Sequence, residues 1–209
     1  MHVKICGITN LEDALFAVSC GADAVGFVFA PESPRFVSSD AVERIVSALP
    51  PFVTTVGVFT SGTIEEIRDM VDRCCIDRIQ FHGAFPVETI HAFSHRAIPV
   101  IRVKDARSFE GFDPRSVRAF LLDTFDRHLA GGSGHVFNWD LAQNLRERGK
   151  MILAGGLRPD NVQEAVRRVR PYGIDVSSGV ESRVGKKDTA KVRAFIEAAK
   201  QEVFGAAAE

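Results

Sequence analysis

The chain has no surplus of charge of either sign. Its 26 basic and 27 acidic residues are interleaved for a net charge of −1, which argues against a nucleic-acid surface, since that would need a basic stripe. No apolar run is long enough to span a bilayer. The N-terminus carries no basic segment leading into an apolar stretch, so no secretory signal is expected. Cysteine is sparse: Cys6, Cys20, Cys74 and Cys75 include no C-x-x-C pair, so neither a zinc site nor a dithiol redox motif is expected. Free thiols in the cytoplasm are the simplest reading. Linkers, low-complexity tracts and short-period repeats are also missing, and residues 1–209 read as one domain, with the tail "GAAAE" fraying.

The remaining composition, 45% hydrophobic and 25% charged, is that of an ordinary globule large enough to bury a core without staples. Short runs rich in Val, Ile and Phe give eight strand candidates, at 3–8, 23–30, 54–60, 77–83, 99–105, 119–124, 151–156 and 173–179. Between them the apolar period lengthens to that of amphipathic helices. These are Leu11–Cys20 after Thr9-Asn10, Asp40–Leu49 after Ser38-Ser39, and Thr63–Cys74, where Glu66 completes a capping box. Pro86–His95, Asn138–Arg148, Pro159–Val169 and Asp188–Phe204 complete the series, and 105–118 holds at most a short helix.

Eight strand–helix units imply a parallel sheet with right-handed crossovers, closed into a single (β/α)8 barrel of the TIM type. An open doubly wound sheet is the runner-up.

Alternation then sorts the strand residues. Val3 and Ile5 face helices while Lys4 and Cys6 face the barrel interior, and Cys6 stands at the C-terminal rim, where such barrels do their chemistry. In the same way Gln80 and His82, Leu121 and Asp123, and Asp175 and Ser177 face inward. Cys6 taken alone reads as a small buried hydrophobe, a ligand or a working thiol. Asp123 is carried to the rim straight out of the apolar run "FLLD". Closure makes the first and eighth strands neighbours, so Lys4 and Asp175 are expected to form a buried ion pair beneath the mouth.

Two glycine-rich turns follow the last two strands. Gly155-Gly156 and Ser177-Ser178-Gly179 leave backbone amides uncovered, as a phosphate site requires. Arg35, on the proline-bounded loop "APESPRFVS", offers a fork for a carboxylate. The turn "GGSG" at 131–134 suits a mobile loop near Asp123. His91 and His95 sit one helical turn apart but lack a further ligand, so no metal site is expected.

The motifs "KICGIT", "GFVF…SPR", "VGVF", "LLD", "GGSG…FNW", "AGGLRPDNV" and "DVSSGVES" together resemble the phosphoribosylanthranilate isomerase family of tryptophan biosynthesis, over nearly the whole chain. The resemblance implies an Amadori rearrangement of an aminoaldose to an aminoketose. It assigns Cys6 as general base, Asp123 as general acid and Arg35 as the anchor of the anthranilate carboxylate. It places the phosphate on Gly155, Gly156, Ser177, Ser178 and Gly179, and Asp175 is grouped with Arg35 on the substrate side. The expected partner is a small phosphosugar, with no cofactor or metal, bound by a monomer or homodimer.

The chain departs from the family pattern at "QFHGAF", where Ala84 and Phe85 replace acidic residues, and at Asn138, a helix-cap position where Asp is more usual. Rival readings are the related aminoaldose isomerase of histidine biosynthesis, which has an aspartate where Cys6 stands, and a hydrolase or transferase with Cys6 as nucleophile. The nucleophile reading needs an adjacent base, for which His82 is the candidate. An aspartate used as an acid must be kept protonated by desolvation or a like charge. A cysteine used as a base is helped by a cation such as Lys4, provided Asp175 does not neutralise it.

Overall fold

A computed structural model describes residues 1–102, 116–123, 142 and 149–205. The 131–134 turn, Asn138 and most of the 138–148 helix lie outside these residues.

Eight parallel strands close into a ring in sequence order, β1 beside β8. They are β1 (His2–Ile5), β2 (Ala24–Val28), β3 (Thr54–Phe59), β4 (Arg78–Phe81), β5 (Ala97–Arg102), β6 (Ala119–Asp123), β7 (Lys150–Ala154) and β8 (Gly173–Val176). Closure excludes the open sheet. Most strands end earlier than the apolar runs suggest, because the rim residues turn away. After β1 the chain passes through Gly7 at φ +72°, a left-handed conformation that ends the extended run.

Helices wrap the ring: α1 (Leu11–Ser19), α2 (Ser39–Ser47), α3 (Ile64–Arg73), α4 (Val87–Ala92), α5 (Val162–Val169) and α6 (Thr189–Gly205). The starts of α1, α2 and α3 follow from capping chemistry. Asn10 accepts from the Asp13 N–H at 2.9 Å, and Thr63 and Glu66 form the reciprocal box at the head of α3. The helix α4 stops at Ala92, so His91 and His95 do not share a helical face, and both are exposed.

The main core lies between the ring and the helices. Val3, Ile5, Phe120, Leu122, Ile174 and Val176 point outward into it, as strand alternation requires. Phe27, Phe81, Phe120 and Phe195 are fully buried there, each contributing about 1.5–3 kcal/mol of transfer free energy. Inside the ring, Ile98, Leu121 and Ala154 form a small apolar layer on one side.

One element has no counterpart in the strand periodicity. A hairpin, β9 (Glu181–Arg183) with β10 (Lys186–Lys187), follows β8 and turns through Gly185 at φ +79°. It is tied to the first βα unit: Thr9 donates to the Gly185 carbonyl at 2.6 Å, and the Lys187 N–H donates to Asp13 at 2.8 Å.

Candidate active site

Cys6 extends β1 by one residue, its N–H donating to the Val176 carbonyl at 2.8 Å. Its side chain points inward against Val28, Ala30 and Val58 and is 7% exposed. Room for it comes from Gly26 on β2, where a Cβ would lie 2.9 Å from the Cys6 sulfur and 3.0 Å from the Lys4 ammonium. Gly26 belongs to the "GFVF" motif, but nothing local marks it as the residue that clears this space.

The expected ion pair is present. Lys4 Nζ donates to Asp175 Oδ1 at 2.9 Å, with both side chains less than a tenth exposed. Parallel register sets Lys4 beside Asp175 across the β1–β8 seam. Burial alone would push the Lys4 ammonium down, but the Asp175 carboxylate, helped by Cys6, outweighs it and the net shift is upward. The Cys6 thiol is also pushed up. Burial is the main cause and Asp175 adds to it, while Lys4 opposes without prevailing. The activation of Cys6 by Lys4 is thus blunted by Asp175, and the resting group is the neutral thiol.

Asp123 closes β6 at the rim, in register with Arg102 on β5 and Ala154 on β7. His82, just past β4, is fixed by its N–H donating to the Phe59 carbonyl at 2.8 Å. Its Nε2 lies 3.6 Å from Asp123 Oδ2. Burial lowers the His82 pKa and Arg102 adds to the effect, against the pull of Asp123, so the ring is neutral near pH 7. Below it on β4, the Gln80 Oε1 is buried without a partner among the described residues.

The two glycine turns sit side by side. Gly155 and Gly156 have φ of +84° and +65°, and Asn161 braces their loop by donating to the Gly156 carbonyl at 3.0 Å. A Cβ on Gly156 would meet nothing, whereas one on Gly179 would fall 1.9 Å from the Leu157 carbonyl oxygen. Gly179 is therefore where the β8 loop rests against the β7 loop. Residues 178–180 form a single 3-10 turn. The amides of Gly156, Ser178 and Gly179 donate to no acceptor among the described residues, as an anion nest requires. The Ser177 hydroxyl is buried and unpartnered there too. Gly7 makes way for it: a Cβ would stand 2.9 Å from Ser177 Oγ and 2.7 Å from Arg35 Cδ.

Arg35 does reach this end of the barrel, but not as a bare fork. Its Nε and Nη2 donate to the two oxygens of Glu181 at 2.8 and 2.7 Å. Lys187 donates to Glu181 Oε1 and to the Ser177 carbonyl, both at 3.2 Å, and the Lys187 and Glu181 side chains are 1% and 5% exposed. Burial would raise the Glu181 pKa, but the Arg35 hydrogen bonds and the Lys187 charge hold it below the ordinary value. Burial depresses the Lys187 ammonium, with Glu181 opposing. Neither Glu181 nor Lys187 was expected at the site, because "ESRVGKK" has no apolar alternation to place it. The available signal was an isolated acid followed by a glycine turn and two lysines.

The N-(5'phosphoribosyl)anthranilate (PRA) isomerase family model matches residues 3–198. An N-(5'-phosphoribosyl)anthranilate isomerase of Geobacter metallireducens is 50% identical over 200 residues, 96% of this chain and 99% of that one. The crystal structure of phosphoribosyl anthranilate isomerase from Thermotoga maritima superposes with a TM-score of 0.90 at 45% identity, covering 96% of this chain and 99% of that one. A phosphoribosyl anthranilate isomerase in complex with reduced 1-(o-carboxyphenylamino)-1-deoxyribulose 5-phosphate gives 0.87 at 43% identity, with the same coverage.

Proposed function

The chain belongs to the N-(5'-phosphoribosyl)anthranilate isomerase family, and from that premise we propose that Cys6 and Asp123 carry the proton transfers of its reaction. The enzyme catalyses the Amadori rearrangement of N-(5'-phosphoribosyl)anthranilate to 1-(2-carboxyphenylamino)-1-deoxyribulose 5-phosphate in tryptophan biosynthesis. The oxidation of C2′ and the reduction of C1′ cancel within the substrate, so the reaction calls for neither nicotinamide nor flavin.

The observation that carries the assignment is the placement of one thiol and one carboxylate at the rim of the same mouth, from β1 and β6. Asp123 protonates the ribose ring oxygen as the C1′–O bond breaks, leaving a protonated imine. Cys6 then takes the C2′ proton to give the enolamine, which tautomerises to the ketone. The burial that keeps Cys6 neutral at rest is countered when the iminium forms, because an adjacent cation favours the thiolate. The thiol therefore becomes a base when substrate is present.

The glycine nest at 155–156 and 177–179 holds the phosphate and the remaining edge of Arg35 meets the anthranilate carboxylate, so both ends of the substrate are fixed around the reacting carbon. Asp175 keeps the floor of this site neutral by pairing Lys4. The rival use of Cys6 as a covalent nucleophile finds no histidine beside the thiol among the described residues: Lys4 is the cation there, and His82 stands by Asp123. A phosphosugar substrate and four free cysteines support a cytoplasmic setting for the reaction.

The test is loss of anthranilate-type fluorescence with freshly generated substrate. Wild type consumes it rapidly, and Cys6→Ser and Asp123→Asn each lose about 10²–10⁴-fold in turnover while still binding product. Near-normal turnover in either variant would remove that residue from its role.

A further inference from the structure

An arginine that recognises a carboxylate works only if its plane and free edge are fixed, and on a loop that fixing must come from a partner. Arg35 has such a partner in Glu181, 146 residues away. The fork uses Nε and Nη2, so the edge left over is the one bearing Nη1, which donates to no acceptor among the described residues. The guanidinium plane is thus set by a carboxylate whose own side chain is only 5% exposed.

Glu181 is in turn immobilised. Its Oε1 accepts from Lys187 Nζ at 3.2 Å and from the Gly185 N–H at 3.4 Å, and its own carbonyl accepts from Lys191 Nζ at 2.9 Å. It also directly follows the 3-10 turn of 178–180, so the chain that shapes the phosphate loop also delivers this carboxylate. Lys187 closes the circuit by donating to the Ser177 carbonyl at the head of that loop.

We infer that Glu181 is a positioning residue that aims Arg35 at the aryl carboxylate of the substrate and ties that end of the site to the phosphate loop. The inference rests on the reading of Arg35 as the carboxylate anchor. Glu181 acts through Arg35, touches no reacting atom, and contributes to substrate discrimination rather than to proton transfer.

The experiment measures Kd for two ligands, the reduced product carrying the 2-carboxyphenylamino group and its counterpart made from aniline, which has no carboxylate. Four proteins are compared with wild type: Glu181→Asp, Glu181→Gln, Arg35→Ala and the double variant Arg35→Ala/Glu181→Gln. Glu181→Asp keeps the charge that half-buried Arg35 and buried Lys187 need and withdraws the fork by one methylene, so it tests aim without removing the ion triad.

Both Glu181 variants are expected to lose affinity for the carboxylated ligand on the order of tenfold, with little change for the anilino ligand. KM for substrate should rise by a similar factor, with kcat within about threefold of wild type. Arg35→Ala should abolish the preference, and the double variant should lose no more than Arg35→Ala alone.

Full preference retained in Glu181→Asp and Glu181→Gln, beside its loss in Arg35→Ala, would overturn the role of Glu181 and leave that of Arg35 standing. Retained preference in Arg35→Ala would overturn both. Equal weakening of the two ligands in the Glu181 variants would reduce Glu181 to a structural residue.

Discussion

Lys4 and Asp175 meet at 2.9 Å across the seam where the first strand closes on the eighth, with the Cys6 thiol beside the ammonium. Asp175 therefore decides how much of the Lys4 charge the thiol feels. Alkylation of Cys6 by iodoacetamide, followed residue by residue by mass spectrometry, should show a pH midpoint above the ordinary thiol value of 9.0. In Asp175→Asn the raising influence of the carboxylate is gone while Lys4 remains, so the midpoint should move down. An unmoved midpoint would show that Lys4 and Asp175 do not govern the thiol. The same variant leaves a buried cation unpaired, at about 3–5 kcal/mol, and its Tm should fall by on the order of 10 °C in thermal unfolding.

Two glycines of the anion nest should behave differently for steric reasons. Gly179→Ala drives a Cβ to 1.9 Å from the Leu157 carbonyl oxygen, so one of the two loops must move. KM for the phosphosugar should rise at least tenfold, with about 1–3 kcal/mol of stability lost. Gly156→Ala meets no atom and suffers only from its φ of +65°, a cost of about 1–2 kcal/mol, and should bind inorganic phosphate nearly as well as wild type. Equal losses of phosphate affinity would mean that loop contact at Gly179 is not what shapes the nest.

The hairpin that carries Glu181 and Lys187 is held to α1 through a buried carboxylate. Asp13 receives the Lys186 ammonium at 2.6 Å and the Lys187 N–H at 2.8 Å. Burial would raise its pKa, but these bonds, with Asn10, lower it below the ordinary 3.8. Glu181 is likewise lowered from 4.5. A carboxyl with a depressed folded pKa stabilises fully above its unfolded value and loses that contribution as pH falls through the folded value. Denaturant midpoints measured from pH 6 downward should therefore fall below about pH 4.5, and Asp13→Asn should flatten that acid limb while lowering stability at neutral pH. An acid limb of unchanged slope in Asp13→Asn would exclude Asp13 as a contributor.

Asp13 and Glu181 also show where sequence reasoning stops. The capping roles of Asn10, Thr63 and Glu66 are legible because donor and acceptor lie three residues apart and every helix start poses the same problem. The inward set of Lys4, Cys6, His82, Asp123 and Asp175 is legible because strand side chains alternate with a period of two. The pairing of Lys4 with Asp175 needed one further step, that eight units close into a ring. The hairpin at 181–187 offers neither periodicity nor cap, and its two short strands are defined by what they touch.

Local chemistry written along the chain thus determined the eight units, the helix caps, the glycine turns and which strand residues face the mouth, because each depends on neighbours a few positions away. The tertiary structure alone decided what those residues experience. Glu181 occupies one edge of Arg35 and receives Lys187, His82 stands against Asp123, and Gly26 clears space for Cys6 and Lys4. Asp175 blunts the influence of Lys4 on a buried thiol. Each of these depends on desolvation and on distances between charges far apart in sequence, and both are set only when the barrel closes.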